Sequence, residues 1–226
     1  MAGQVISAIQ NKGGAGKTTL LISLISLLEE DGAKISIVDT DPSGDLSGWA
    51  KKARNKGNFR GNLLPDMLDE SDLVPVVRKE QKVSDIVFID SAGIDTQMTM
   101  FAAGVSDLVL IPCPASERDA LAALKTVKKT KSVADVAGRD IPAKIIMNNV
   151  DPRTNIFNVV KGQLERAEAP LLDALMRRRT GFAEFQTLGC GPSGSARSVV
   201  SSVIANLQLL NLLNFYRPEN IVGMAL

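Results

Sequence analysis

The sequence predicts an α/β protein in which a doubly wound, mostly parallel sheet is flanked by helices. Apolar runs of strand length recur along the chain, they lack the alternation typical of half-exposed strands, and segments with helical spacing separate them. Continuous apolar runs of this kind are typical of parallel strands that are covered on both faces. The five predicted strands are residues 5–9, 35–39, 86–90, 108–112 and 145–148.

Helices are predicted over residues 18–30 and 117–136 between these strands. Gly32 and Gly138 follow them, and glycine is the residue that most easily takes the left-handed conformation at a helix C-terminus. In a sheet of this type the ligand site lies at the carboxyl ends of the strands. Residues 55–72 are the least regular part of the chain, because several Gly and Pro residues break any period, and we predict a surface excursion there.

Length and composition favour one globular domain spanning residues 1–226. Hydrophobic residues make up 45% of the 226 residues, and no apolar run is long enough to span a membrane. The net charge of +1 points to no particular partner, so any contact with nucleic acid requires a local basic patch.

Cysteine and histidine usage narrows the chemistry further. The chain has two cysteines, Cys113 and Cys190, and its N-terminus lacks the features of a signal peptide, so we expect a reduced, cytoplasmic setting. Histidine is absent. Catalysis must therefore use carboxylates, lysines, hydroxyls or a metal, which suits phosphoryl transfer and argues against histidine-ligated zinc and histidine-based triads.

The segment between the first strand and the first helix has the composition of a phosphate-binding loop. It reads Gln-Asn-Lys-Gly-Gly-Ala-Gly-Lys-Thr-Thr over residues 10–19. Small residues let backbone N–H groups surround an anion, and the following helix directs its positive end to the same place. The candidate nucleotide-binding residues are Lys12, Gly13, Gly14, Ala15, Gly16, Lys17, Thr18 and Thr19. We expect Lys17 to meet the terminal phosphates and act in catalysis, and the Thr18 hydroxyl to ligate Mg²⁺.

A second lysine distinguishes this loop from the usual pattern, which has glycine where this chain has Asn11. Lys-Gly-Gly-x-Gly-Lys-Thr-Thr is the deviant form of the loop, and with it the chain resembles the ParA/MinD family of dimerising P-loop ATPases. The resemblance implies ATP and Mg²⁺ as cofactors and an ATP-dependent homodimer. It also implies that Lys12 reaches across the dimer interface to the partner's nucleotide, in a catalytic role like that of an arginine finger.

Two acids follow predicted strands at the expected site edge. In the family, the second Asp of Asp-x-Asp-Pro helps to orient the attacking water and the Mg²⁺ shell, and Asp41 occupies that place here. Its alternative role is simply to form a turn, which Asp and Pro both favour. Asp90 ends an apolar strand in the Walker B form and is predicted to lie near Mg²⁺ through a water. Ser91, Ala92 and Gly93 then form a mild variant of the family's switch-like turn.

The resemblance extends over the whole chain but is most specific in the first half. In relatives, an asparagine at the end of the last long strand commonly contacts adenine, and Asn148 is the candidate here. Its amide can donate and accept at once, which matches the N6/N7 edge of adenine. The alternative is that Asn148 caps the end of its strand.

ParA-like proteins form an ATP sandwich dimer, bind DNA without sequence preference and release it after partner-stimulated hydrolysis. DNA binding requires several cations on one exposed face. The candidates are Lys125, Lys128 and Lys129, which share a helix face, and the run Arg177, Arg178 and Arg179; both groups have the alternative of being ordinary surface or structural residues. We therefore predict a weak, nucleoid-associated ATPase switch that partitions or positions a DNA or protein cargo, with a ParB-like or cargo adaptor protein stimulating hydrolysis.

Plasmid partition, positioning of a protein cargo and a VirC-type role in DNA transfer remain open. A MinD-like membrane-recruited switch is the alternative, because residues 195–216 form an apolar, helix-like segment. Residues 198–214 contain no Lys or Arg, however, and packing on the domain is the favoured role over membrane contact. A metabolic ligase of the same superfamily usually needs a further domain, and the iron-protein branch needs a cysteine spacing that Cys113 and Cys190 do not follow.

Overall fold

A computed structural model describes residues 2–64, 69–92 and 96–215. Its strands are β1 Gln4–Ala8, β2 Ile35–Asp39, β3 Asn62–Leu63, β4 Ile86–Asp90, β5 Leu108–Cys113, β6 Ala143–Val150 and β7 Met176–Arg177. They form one parallel sheet of seven strands in the order β3-β2-β4-β1-β5-β6-β7. The predicted doubly wound parallel sheet is confirmed.

The helices in the described part of the chain cover both faces of this sheet. They are α1 Lys17–Glu30, α2 Asp45–Asn55, α3 Glu70–Glu80, α4 Gln97–Val105, α5 Glu117–Ala137, α6 Asn155–Arg166, α7 Gly181–Leu188 and α8 Gly194–Leu209. Helices α1, α2, α7 and α8 pack with one set of strand side chains, including Ile86 and Phe88. Helices α3 to α6 pack with the opposite set, which includes Val87 and Ile89. Alternate residues of β4 therefore enter different cores, as expected for a strand buried on both faces.

All five predicted strands are present, with ends that differ from the predicted ones by at most two residues. Strands β3 and β7 were missed, because two residues are too short for a periodic signal. Helix α1 ends as predicted, although Asp31 is its C-cap and the left-handed Gly32 comes one residue later. Helix α5 closes on Gly138 in the left-handed conformation, as predicted.

The predicted surface excursion over residues 55–72 agrees with the part that the structure describes, where most residues are exposed. This stretch contains the end of α2, the edge strand β3 and the beginning of α3, and Phe59 within it is only 1% exposed. Pro65, which contributed to the prediction, lies outside the described residues. Phe59 anchors this surface stretch to the core, a contact that periodicity alone does not reveal.

The last helix is shorter than the predicted segment 195–216. Helix α8 ends at Leu209, and Asn211 adopts a positive φ of 54°, which turns the chain away from the helix axis; Tyr216 lies outside the described residues. Its apolar side, including Val200 and Val203, is buried in the core against α1, in agreement with the predicted packing role. None of the helices in residues 2–64, 69–92 and 96–215 combines the length and the apolar composition that a membrane span requires.

Candidate functional site

The carboxyl ends of the central strands bring the predicted site residues to one edge of the sheet. Ala8 is in register with Asp90, and Asp90 with Asp39, so the glycine-rich loop that follows β1 begins beside both acids. Thr40 strengthens this edge, because its backbone N–H and its hydroxyl both donate to the Asp90 carbonyl, at 2.9 and 2.8 Å.

The loop itself is shaped by two glycines in the left-handed region. Gly14 has φ 78° and Gly16 has φ 90°, and Gly16 is the N-cap of α1, which has no side-chain cap. The first N–H groups of a helix lack partners within the helix, so this end of α1 is suited to an anion. Lys17, the first residue of α1, is only 6% exposed, so nearly the whole residue is buried at this edge.

Asn148 contacts this loop directly. Its Nδ2 donates to the Ala15 carbonyl at 2.7 Å, and a Cβ added at Gly16 would lie 2.2 Å from the same nitrogen. The buried amide therefore braces the loop from β6, and one of its donors is engaged by protein. Contact with adenine through its remaining capacity stays a prediction.

Gly16→Ala is expected to lower the free energy of unfolding by roughly 1–3 kcal/mol, since alanine is strained at this φ and its Cβ displaces Asn148. We expect nucleotide binding to be lost with it. Gly14→Ala is the matched control, because Gly14 also has a positive φ but a Cβ there meets nothing within 4 Å. Chemical denaturation of both variants checks this: equal losses would show that the contact with Asn148 contributes nothing.

Thr18 and Asp90, two of the predicted metal residues, are in contact. The Thr18 hydroxyl donates to Asp90 Oδ2 at 2.6 Å. Asp90 is fully buried, and its Oδ1 has no hydrogen-bond partner among the described residues. Burial raises the pKa of Asp90 to about 7; the Thr18 hydrogen bond and Lys17 lower it, and Asp39 and Asp41 raise it.

This arrangement fits a hydrated magnesium ion. A buried carboxylate oxygen without a partner is costly, and a cation or its bound water would satisfy it. Carboxylate and hydroxyl oxygens are the ligands that Mg²⁺ takes from proteins, together with phosphate oxygens and water. The chemistry of Thr18 and Asp90, beside a loop suited to phosphates, is therefore appropriate for a metal–nucleotide complex.

Asp39 also contributes to the site, although the sequence motifs assign it no role. Its buried carboxylate accepts hydrogen bonds from the backbone N–H groups of Asp41, at 3.1 Å, and Ser47, at 2.8 Å. Burial raises its pKa, and these two hydrogen bonds lower it. Asp39 thus holds the turn that carries Asp41. Its sequence signal is the first acid of the Asp-x-Asp pair.

Asp41 lies in this turn with its side chain partly exposed. Its Oδ1 accepts from the Ser43 backbone N–H at 2.9 Å, so the turn-forming role considered for this residue is present. Asp41 lies close enough to Asp90 to raise the pKa of that buried carboxyl. Its role in catalysis and in the metal shell stays a prediction.

Ser91, the first residue of the predicted switch-like turn, is held against β1. Its side chain is fully buried, and its hydroxyl donates to the Ala8 carbonyl at 2.9 Å, which fastens the end of β4 to β1. Gly93, the last residue of the predicted switch-like turn, lies outside the described residues.

Lys12 forms an ion pair with Asp119 of its own chain, and the sequence motifs do not predict this contact. Its Nζ lies 2.8 Å from Asp119 Oδ1, and its side chain is 37% exposed. Asp119 is in the first turn of α5 and is itself buried. The signal that could have identified it is Ser116-x-x-Asp119, a helix-capping pattern at the start of α5. The trans role of Lys12 stays a prediction.

Neither cysteine is in a disulfide. Burial raises the pKa of Cys113 to about 12; Asp119 also raises it, and Lys12 lowers it. A thiol in that state is protonated at neutral pH and is not a nucleophile. Cys113 packs in the core, where it is fully buried.

The two basic groups lie on different elements. Lys125 and Lys128 are exposed on α5, with Lys129 partly exposed beside them. Arg177 ends β7, and the Arg178 backbone N–H donates to the Val150 carbonyl at 2.9 Å, so the arginines extend the carboxyl edge of the sheet beyond β6. The sets are Lys125, Lys128 and Lys129 in the first group and Arg177, Arg178 and Arg179 in the second. Their binding to DNA stays a prediction.

A family model and two curated relatives each match about three quarters of the chain or more. A family model described as VirC1 protein matches residues 3–192. The chain is 25% identical over 189 residues to protein ParA from Rhizobium radiobacter, which covers 82% of this chain and 83% of the relative. It is 28% identical over 172 residues to maintenance of carboxysome distribution protein A from Halothiobacillus neapolitanus, covering 76% and 78%.

Solved structures share the fold. A variant of McdA from Cyanothece, solved as a complex with ATP, superposes with a TM-score of 0.74 at 16% identity and covers 95% of this chain and 99% of that one. At this identity the likeness concerns the arrangement of strands and helices.

Proposed function

The chain belongs to the VirC1 protein family, and we propose that it is an ATP-dependent dimerising switch with weak ATPase activity that positions or partitions a cargo on DNA. The observation that carries the proposal is the meeting of a two-lysine phosphate loop with Thr18 and Asp90 at one strand edge. The names of its relatives, ParA and a carboxysome distribution protein, support a role in partition or positioning.

ATP and Mg²⁺ are the proposed cofactors. The backbone of residues 13–16 and Lys17 would hold the phosphates, and Thr18 and Asp90 would hold the metal, where the buried Asp90 Oδ1 lacks a partner among the described residues. Bound ATP and metal supply a phosphoryl group activated for transfer to water. Asp41 would orient that water, with Asp39 fixing the turn from which Asp41 acts.

We propose that ATP binding causes two copies of the chain to dimerise. Lys12 lies near the start of the loop and is about one-third exposed, so its side chain can reach a second copy that approaches the same edge. A cation supplied across an interface makes phosphoryl transfer depend on assembly, as arginine fingers do. Hydrolysis would then end the dimeric state, and a ParB-like or adaptor partner would set its lifetime.

The proposed binding partner of the dimer is DNA of any sequence. The arginine group lies at the site edge of the sheet and is mostly exposed, so nucleotide-dependent pairing of two copies would place two such groups on one assembly. Paired basic groups bind phosphates more strongly than one group does, because both groups engage the same duplex together. In a cell this would associate the chain with the nucleoid.

Replacing Arg177, Arg178 and Arg179 together by alanine should weaken ATP-dependent DNA binding by roughly tenfold or more. The salt dependence of binding should also flatten, by about one unit of slope for each DNA phosphate that the variant no longer neutralises. The measurement is a titration of fluorescent duplexes of two unrelated sequences at several salt concentrations.

The matched control removes three lysines that lie near the opposite, amino edge of the sheet: Lys34, Lys79 and Lys82, all exposed. It changes the net charge by the same amount and should leave the salt slope unaltered. Equal effects of the two triple variants would show that only total charge matters and would remove the arginine group from the proposed DNA surface.

Membrane recruitment through the C-terminal helix has less support. The apolar side of α8, including Val200, Val203 and Leu207, is already buried in the core against α1. Inserting that side into a lipid surface would require α8 to leave the domain, with the loss of this packing.

A further inference from the structure

The ion pair between Lys12 and Asp119 has a consequence for the switch. Asp119 is 4% exposed, and each of its carboxylate oxygens has one donor: Lys12 Nζ on Oδ1 at 2.8 Å and the Ser116 hydroxyl on Oδ2. The Asp119 backbone N–H donates back to the Ser116 hydroxyl at 3.1 Å. The acid is therefore held rigidly at the start of α5, while the lysine that bonds to it is the more exposed partner.

The loop and α5 are also joined through a buried side chain. Gln10, the first residue of the loop, accepts from the Thr126 hydroxyl at 3.2 Å and donates to the Pro112 carbonyl at 3.3 Å. The start of the loop is thus fixed against β5 and α5. This anchoring fixes the backbone next to Lys12 relative to α5, so that Asp119 lies within reach of the Lys12 side chain.

We propose that Asp119 is a positioning residue that holds Lys12 on its own chain until a second, ATP-loaded copy offers its phosphates in exchange. This inference rests on the proposed trans role of Lys12. A bond present in the monomer and broken in the dimer opposes dimerisation by the free energy it contributes, so Asp119 sets the threshold for pairing. The triphosphate carries more negative charge than one carboxylate, so it can replace Asp119 as the partner of Lys12.

Asp119→Asn tests the proposal, because asparagine keeps the size of the side chain and leaves the backbone N–H bond to Ser116 intact. The first readout is the rate at which an acetylating reagent modifies Lys12 in the nucleotide-free chain, followed by peptide mass spectrometry. We expect a rise of about threefold to fivefold, since the amine loses its partner. The second readout is the dissociation constant of the Mg·ATP dimer, expected to fall about fivefold, or ~1 kcal/mol, as for a half-exposed ion pair.

Glu165→Gln is the matched control. It breaks a second lysine–carboxylate pair of similar length, Lys161 Nζ to Glu165 Oε1 at 2.9 Å on α6, and should change neither readout. If Asp119→Asn does not fold, Asp119→Ser takes its place, as a smaller polar residue at the same position.

Unchanged Lys12 modification in the Asp119 variant would overturn the inference, and so would faster modification without a tighter dimer. A wild-type chain that stays monomeric in Mg·ATP would instead contradict the proposed function. In that case the modification rate would still decide whether Asp119 holds Lys12, so the two failures are distinguishable.

Discussion

Lys12→Ala is expected to abolish ATP-dependent dimerisation and to lower ATP turnover on the order of 10³-fold, the scale of a transferred cation in phosphoryl transfer. Binding of a nonhydrolysable ATP analogue should persist, because Lys12 bonds to Asp119 while Lys17, Thr18 and the glycine loop belong to the chain's own site. Calorimetric titration, light scattering after gel filtration and phosphate release measure the three properties.

The substitution has a side effect that a second change removes. Without Lys12, the buried Asp119 carboxylate loses one of its two side-chain donors, which destabilises the start of α5. The double variant Lys12→Ala/Asp119→Asn eliminates that charge and should still fail to dimerise. Normal ATP-dependent dimerisation in the double variant would contradict the trans role of Lys12.

Asp41→Ala is expected to give a dimer that binds ATP and does not release it. Loss of the group that orients the attacking water should reduce turnover by roughly 10²- to 10⁴-fold, while the phosphate loop and the Thr18–Asp90 pair remain. The dimer, and any DNA it holds, should then persist after free ATP is removed. A chase with excess ADP, followed by light scattering, measures that lifetime.

Asp41→Asn separates catalysis from turn formation. Asparagine retains an oxygen that can accept from the Ser43 backbone N–H, so it preserves the turn but removes the charge. If Asp41 acts on water or metal, both variants lose turnover. Wild-type turnover in Asp41→Asn would reduce this residue to a turn former.

The sequence was sufficient for the parts of the site that lie at strand ends. Asp90 and the loop after β1 are adjacent because parallel strands deliver their carboxyl ends to one edge, and apolar runs reveal those ends. The contact between Thr18 and Asp90 then follows from the fold.

Other features depend on packing that no local pattern encodes. Asn148 reaches the loop from a strand more than a hundred residues away, and its contact with Ala15 depends on Gly16 leaving space. Asp119 had a capping signal, but that Lys12 is its partner follows from how α5 lies beside the loop. Strand β7 and the end of α8 escaped prediction because pairing with β6 and a turn at Asn211 decide them.

The most direct test follows wild-type protein on DNA. A fluorescent duplex of arbitrary sequence is sedimented with the chain in Mg·ATP and, separately, in Mg·ADP, and the mass of the labelled complex is determined at low and at physiological salt. We expect a complex with two protein chains, or a multiple of two, in Mg·ATP alone, and we expect it to weaken as salt rises. Equal binding in Mg·ADP, or a complex containing a single chain, would contradict the proposal that ATP controls this protein through dimerisation.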